Sequence, residues 1–333
     1  MIKNTIKHLT QLQQQNRRRL FTGTASLILA SMLPFSSLAA SPEKTVRIAP
    51  LFAFNYLTLG HKSGSIEKAV KEAGGTVEWK SYFPAYAPTA EALRGGSVDF
   101  GSGSSTSFIT ATSKDKDLVV FAVEKNDFKD QGIIATAKSN IKTLADLRGK
   151  KIAVNKGGTG EYLLHLALEK QNIPLEDVKV VYLGPTDAAT AFAQGHVDAW
   201  AIWDQFFAAA QTEPGANVIA YASDLGSLNR IIHVTTRKFA QEHPELLKAV
   251  YKALESEVKT SQQNPDRIAK LNAQAGVPKP VTDVIRTFVL PQIGPADESF
   301  QAELEKIADF YASRKLTPTR IDVSNTTIDV TQP

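Results

Sequence analysis

The chain has 333 residues, with 38 Lys and Arg against 34 Asp and Glu, and no cysteine. The missing thiols exclude disulfides, thiolate nucleophiles, zinc–thiolate sites and a lipid-anchored cysteine. Lys3, Lys7, Arg17, Arg18 and Arg19 are the only Lys, Arg, Asp or Glu in 1–39, so 33 basic and 34 acidic residues remain beyond them, too evenly balanced to suggest a nucleic-acid or anionic-membrane partner.

Residues 1–40 are expected to be an export signal. Arg18-Arg19-Leu20-Phe21 fits the R-R-x-F core of a twin-arginine signal, and a Sec signal that contains three arginines stays open. An apolar stretch from Phe21 to Phe35 follows, and Ser37-Leu38-Ala39 is a small-x-small site for signal peptidase. The stretch is shorter than the ~20 residues of a spanning helix, and its cationic front and small-residue end are those of a removable segment. About 290 residues then remain, enough for two modest domains or one large one. The processed chain is expected to be a soluble periplasmic protein.

Thr45–Pro50 opens that chain as an alternating apolar strand. A helix is expected over Gly60–Ala73, stopped by Gly74-Gly75. A strand over Thr76–Tyr82, a short helix over Pro88–Arg94 and a strand at Val98-Asp99-Phe100 come next, and the following helix opens within GSGSSTSF. This alternation predicts an α/β fold with a largely parallel sheet. The run Ala92–Asp99 recurs as Ala191–Asp198, with Ala, the second Gly, Val and Asp identical, and Lys151-Ile152-Ala153 resembles Arg47-Ile48-Ala49. Two similar lobes are the simplest account; chance similarity within one doubly wound sheet is the alternative.

From about Asn229 the chain is expected to be mostly helical. A helix from Pro244 carries Leu246, Val250, Leu254 and Val258 at a four-residue step, and further helices are expected over Val281–Leu290 and Ser299–Arg314. This segment is expected to return and complete the first lobe. The predicted organisation is 41–130 plus 228–333 as lobe one and 131–227 as lobe two. Chain crossings near Glu124–Gly132 and Ala222–Arg230 would flank a cleft that closes on a ligand.

The run AVNKGGTGEYLLHLALEK (153–170) reads as a strand, a glycine turn and a helix, the local form of an anion cradle. Gly160 precedes Glu161 rather than Lys-Ser/Thr, so no P-loop is present, and neither this run nor GSGSSTSF gives G-x-G-x-x-G. Both loops instead offer backbone amides at a helix start with hydroxyls nearby. Gly157, Gly158 and Thr159 would serve from one lobe, and Ser104, Ser105, Thr106 and Ser107 from the other. Both lie at strand carboxyl ends, where open α/β sheets bind ligands. In DAWAIWDQFF (198–207), Trp200 and Ile202 share one strand face and Ala201 and Trp203 the other, so one tryptophan is expected in the core and the other in the cleft, with both packed in the core as the alternative. Asp204 would cap the next helix or accept from a cationic ligand group. Six scattered histidines and no G-x-S-x-G give catalysis little support, although a Ser–His pairing made in space stays open. No catalytic residue, metal or cofactor is assigned.

Val197-Asp198-Ala199-Trp200-Ala201-Ile202-Trp203-Asp204 and Asn155-Lys156-Gly157-Gly158, with Leu163-Leu164 and Ala167-Leu168-Glu169-Lys170, closely resemble the periplasmic aliphatic-sulfonate-binding proteins. These belong to the nitrate/sulfonate/taurine group of ABC-transporter receptors. Ile141–Lys151, Phe83-Pro84-Ala85, Glu91-Ala92-Leu93 and Val98-Asp99-Phe100-Gly101 carry the likeness further. The resemblance implies a two-lobed type II periplasmic binding fold with two hinge crossings. It also implies capture of a small organosulfur anion and delivery to a membrane permease with a cytoplasmic ATPase. Nitrate, bicarbonate or a pyrimidine precursor as ligand, and an exported hydrolase on a similar frame, are the alternatives. Three positions depart from the family pattern: Ala49-Pro50-Leu51 where a glutamine is common, Tyr86 in place of a glycine, and Ser104–Ser107 in place of a more acidic run. With Phe52, Phe54, Asn55 and Tyr56 in the first loop, an aromatic pocket for an aryl sulfonate or sulfate ester is expected. The full expected ligand set is Phe54, Asn55, Tyr86, Ser104, Ser105, Thr106, Asn155, Gly157, Gly158, Thr159, Trp203 and Asp204, in a monomer.

Overall fold

A computed structural model of the chain describes residues 44–51, 55–112 and 117–332. The expected export signal, Phe52 and Phe54 lie outside these residues. β1 (Lys44–Ala49) and β2 (Gly75–Trp79) pair in parallel. Between them run α1 (Tyr56–Ser63) and α2 (Ser65–Glu72), where one helix over Gly60–Ala73 was expected. Gly64, at φ 76, ends α1 and turns the chain into α2. Only glycine adopts that left-handed backbone without cost, so the glycine inside the helical pattern splits it.

α3 (Tyr86–Arg94) leads to β3 (Phe100–Ser104), which absorbs the glycine run expected to open a helix. Those glycines serve packing. A Cβ on Gly101 would lie 2.2 Å from Thr89, and one on Gly103 2.2 Å from the Tyr86 ring, both on α3. α4 (Ser105–Thr112) starts only after Ser104, and β4 (Leu118–Lys125) follows.

The chain then passes to a second sheet through β5 (Gln131–Ala135), β6 (Lys151–Val154), α5 (Thr159–Lys170) and β7 (Lys179–Tyr182). α6 (Pro185–Gln194), β8 (Ala199–Trp203), α7 (Asp204–Gln211) and β9 (Asn217–Tyr221) complete it, in the order β7-β6-β8-β5-β9. It returns through β10 (Ile231–Thr236), α8 (Arg237–Glu242), α9 (Pro244–Gln263), α10 (Arg267–Gln274), α11 (Lys279–Ile285), β11 (Gln292–Pro295) and α12 (Glu298–Ser313). The first sheet is ordered β11-β4-β10-β3-β1-β2. The two passages between sheets, β4 to β5 and β9 to β10, fall where crossings were predicted.

The segment after Asn229 is mostly helical as expected, and two strands not foreseen interrupt it. β10 lies between β3 and β4, antiparallel to both, and β11 adds an edge beyond β4. A six-residue β-branched run, IIHVTT, is enough for a strand buried on both faces. A second departure concerns α11. Its Val281 and Ile285 share a core with Trp200 and Phe207 of the second-sheet side, although 228–333 was expected to belong wholly to the first.

The internal repeat has a structural basis. Asp99 accepts the Arg47 amide on Oδ2 at 2.8 Å and returns its own amide to Arg47 O at 2.7 Å. Asp198 does the same with Lys151, at 2.8 Å both ways. Ser97 donates to Ala92 O at 3.0 Å, and His196 to Ala191 O at 2.9 Å. Each repeat therefore clips a helix–turn–strand onto the start of a central strand. One apolar interior runs from Ala49, Phe108 and Val120 to Ile133, Val154 and Leu163, so elements of both sheets share a core. Among the described residues no helix is long and apolar enough to cross a membrane.

Candidate functional site

The carboxyl ends of β1, β3, β6 and β8 bring most of the expected ligand residues towards the cleft, and the two sides touch there. Thr110 Oγ1 on α4 donates to Gly157 O at 2.9 Å. Opposite Gly158 stands Ser107, whose Oγ would lie 2.8 Å from a Cβ at that position. Asn229, in the second passage between sheets, ties the halves together. Its Oδ1 accepts from Thr106 Oγ1 at 2.7 Å and from the Thr106 amide at 3.3 Å. Its Nδ2 donates to Gln131 Oε1 and to Thr159 Oγ1, each at 3.0 Å.

Several expected donors are already spent. The Gly157 amide donates to Glu161 Oε2 at 2.7 Å, and the Gly160 amide to Asn155 Oδ1 at 2.8 Å. A carboxylate of the helix itself thus fills part of the cradle, as the positive end of a helix favours. Ser105 bonds the second passage on both counts: its amide donates to Arg230 O, and its hydroxyl accepts from the Arg230 amide at 3.0 Å. Thr106 is held by Asn229. Tyr86 is buried with its ring over Gly103, and its hydroxyl has no partner among the described residues. Tyr56 is likewise core, donating to Pro291 O at 2.8 Å. The expected aromatic pocket therefore loses Tyr56 of the first loop and Tyr86 of α3, because both rings are buried in the core.

What remains on offer is specific. Among the described residues the amides of Gly158 and Thr159 have no acceptor, and the Asn55 Nδ2 has none although its Oδ1 caps α1. The Ser104 and Ser107 hydroxyls share a 3.0 Å bond with each other, with Ser104 donating, which leaves the Ser107 proton free. These groups can hold an oxyanion without a buried countercharge.

Trp200 is core, and Trp203, at the end of β8, is half-buried and packs against the same apolar core. Asp204 is not the cap. Trp203 occupies the cap position, and Asp204 is the first helical residue, at φ 50. Its amide donates to Asp130 O at 2.7 Å, so β8 and β5 deliver two carboxyls to one place. Both line an opening of about 720 Å³, counted with the space open to solvent, whose other walls include Ile268, Ile285, Phe288 and Leu290. Burial pushes the Asp130 carboxyl up to about 6, against the pull of a 2.6 Å hydrogen bond from Asn126. Burial, and then the charges of Asp130 and Glu124, push Asp204 up.

The sign of the resulting pH dependence follows. Unfolded carboxyls ionise at about pH 4. Between there and about 6 the folded state holds protons the unfolded state has lost, so these groups lower stability as pH rises. The ligand-free protein is expected to be more stable at about pH 5 than at about pH 7.5 on their account. Chemical unfolding across that range checks it, with Asp130→Asn expected to flatten the slope. A slope unchanged by the substitution would place its origin elsewhere.

A serine, a histidine and a carboxylate do meet in space. Ser102 Oγ lies 2.9 Å from His233 Nδ1, and His233 Nε2 lies 3.0 Å from Glu124 Oε1. All three sit within the first sheet, on β3, β10 and β4, with Ser102 and His233 wholly buried. Glu124 Oε1 also accepts the Tyr56 amide at 2.7 Å, at the start of α1. The arrangement anchors Glu124 and gives a substrate no path to Ser102 Oγ. Sequence reasoning missed Asn229, Asp130 and the apolar cavity wall. Asn229 and Asp130 left one trace, as polar residues at the two predicted crossings.

Residues 71–268 match the family described as NMT1/THI5 like. A putative aliphatic sulfonates-binding protein of Escherichia coli (strain K12) is 32% identical over 308 residues, 89% of this chain and 93% of that protein. The solved alkanesulfonate-binding protein SsuA from Xanthomonas axonopodis pv. citri, bound to MOPS, superposes with a TM-score of 0.80 at 26% identity, covering 87% of this chain and 100% of that one. The periplasmic aliphatic sulphonate binding protein SsuA of E. coli gives a TM-score of 0.77 at 30% identity, over 88% and 93%.

Proposed function

The chain belongs to the NMT1/THI5-like family and, within it, to the aliphatic-sulfonate-binding proteins, and from that premise we propose that it is the substrate-binding component of an ABC importer for an organosulfur oxyanion. The observation that carries the site is the meeting of two helix starts across the cleft. The free amides of Gly158 and Thr159 face the Ser104–Ser107 hydroxyls, and Asn229 locks the two sides in register. The sulfonate head sits on these donors, and Asn155 shapes the turn beneath them. Trp203 and the apolar cavity wall pack the organic part.

The lobes are assigned as 41–130 with most of 228–333, and 131–227, with α11 riding on the second. Closure presents a joined surface to a membrane permease with its cytoplasmic ATPase. The protein acts as a monomer in the periplasm, after removal of the segment 1–40. It makes and breaks no bond. Among the described residues the Ser102–His233–Glu124 constellation is a feature that favours a hydrolase, and its burial inside the sheet speaks against that reading.

Thermal unfolding of the purified protein against alkanesulfonates, aryl sulfonates, sulfate esters, taurine, nitrate and bicarbonate tests this. A ligand at ~100 times its dissociation constant stabilises by roughly 2.7 kcal/mol, and in a chain of this size the midpoint rises by about 4 °C or more. An organosulfur anion is expected to stand clear of nitrate and bicarbonate and to be recovered unchanged. No shift with any sulfonate or sulfate ester would sink the assignment, and consumption of the ligand would make the protein an enzyme.

A further inference from the structure

A buried carboxylate inside the anion turn needs an explanation. Glu161 lies in the first turn of α5 and is 5% exposed. Its Oε2 accepts the Gly157 amide at 2.7 Å, and its Oε1 accepts the Tyr182 hydroxyl, at the end of β7, at 2.6 Å. Both oxygens accept, which is the pattern of an ionised carboxylate. Both donors are uncharged, and Glu161 makes no ion pair among the described residues. Lys156 is exposed, with its ammonium 5.6 Å from the centroid of the Tyr182 ring. Burial holds His165, one turn further along α5, below its usual pKa, so it is neutral at neutral pH. Arg314 pairs with Glu169 instead.

The charge therefore acts on the oxyanion site with nothing beside it to offset it. The free amides of Gly158 and Thr159 follow directly on the amide that Glu161 occupies. Neighbouring amides of a chain lie under about 4 Å apart, so a head bound there sits within roughly 5–9 Å of the carboxylate.

We propose that Glu161 is the residue that sets the charge limit of the site: it admits oxyanions with one negative charge and turns away those with two, such as inorganic sulfate. This rests on the sulfonate reading above and on the Gly158–Thr159 turn as the seat of the head. Hydrogen bonds alone cannot make the distinction, because sulfate and a sulfonate present the same tetrahedral oxygens to the same donors. Repulsion can, because it acts once on a monoanion and twice on a dianion. At an effective dielectric of about 20 and these distances, the second charge lowers affinity by a further factor of roughly 20–300. Glu161 also takes the Gly157 amide out of the cradle, which leaves a doubly charged head one donor fewer.

Calorimetric titration with ethanesulfonate, ethyl sulfate and inorganic sulfate, at one ionic strength, tests this. Both monoanions are expected to bind about 100-fold more tightly than sulfate. Glu161→Gln removes the charge alone. Its amide oxygen still accepts from Gly157, and the Tyr182 hydroxyl turns to accept from its nitrogen. The ratio is expected to narrow by about 20-fold or more, through tighter sulfate binding. Glu161→Ala, which also frees the Gly157 amide, is expected to narrow it at least as far, and it serves if the Gln variant lacks a cooperative unfolding transition. Tyr182→Phe removes one hydrogen bond and leaves the charge, so its ratio is expected to stay near that of the unsubstituted protein. A ratio unchanged by the Glu161 substitutions overturns the proposal. So does one that collapses equally in Tyr182→Phe, which would make the carboxylate a prop for the turn. Sulfate binding as tightly as the monoanions overturns it too, while leaving the sulfonate reading in place. Failure of both monoanions to bind removes the sulfonate reading itself, and the charge limit with it.

Discussion

Asn229→Ala is expected to lower stability by about 3–5 kcal/mol, the largest effect of any single polar substitution in the cleft. Asn229 is 3% exposed, and its side chain makes four hydrogen bonds to Thr106, Gln131 and Thr159. Thr106 and Thr159 are buried as well, so truncation leaves donors and acceptors with no route to water. Each such group costs roughly 1–3 kcal/mol. The Thr159 hydroxyl can rotate to another acceptor, which holds the total below the full sum. Denaturant unfolding measures the loss, and a change under about 1 kcal/mol would show that the network repairs itself. Asn229→Asp keeps the acceptor for Thr106 and is expected to recover part of the stability. Ligand affinity should fall in parallel, because these bonds fix the two helix starts in register.

Gly158→Ala is expected to weaken ligand binding about 100-fold while leaving the fold intact. The φ of −138 at Gly158 suits any residue, so the effect is steric alone. A Cβ there would lie 2.0 Å from Asn155 Nδ2 and 2.8 Å from Ser107 Oγ across the cleft. Asn155 cannot swing aside without releasing the Gly160 amide from its Oδ1. The added methyl group therefore pushes apart the two sides that must meet around the oxyanion. Losing two or three hydrogen bonds to the head at about 1 kcal/mol each accounts for a factor of this size. Gly184→Ala is the matched control, since a Cβ there meets nothing within 4 Å. An affinity within threefold of the unsubstituted protein would place the oxyanion somewhere other than this turn.

Much of the architecture was legible because it rests on local signals. The recurring Gly-x-Val-Asp run marked two equivalent strand clips, and the aspartates make the same pair of backbone bonds in both. The alternation in DAWAIWD put Trp200 and Trp203 on opposite strand faces, and the structure buries Trp200 and leaves Trp203 half-buried against the same core. Signals with two readings misled. GSGS offered flexible backbone for an anion, whereas Gly101 and Gly103 let α3 lie flat on β3. Glycine in a strand means close approach, and the approaching partner is not written beside it.

The sequence by itself determined the α/β class, the two repeats, the positions of the crossings and the family, since these follow from periodicity, turn chemistry and runs of specific residues. Only the tertiary structure decided which polar groups are left for a ligand. Glu161 takes the Gly157 amide, Asn229 takes Thr106, and the second passage takes Ser105, although all belonged to plausible anion loops. The acid pair was equally hidden, because Asp130 and Asp204 lie far apart in the chain and meet where β5 runs antiparallel to β8. A donor's availability depends on what else comes within 3 Å of it, and contacts between distant segments are fixed only when the sheets pack.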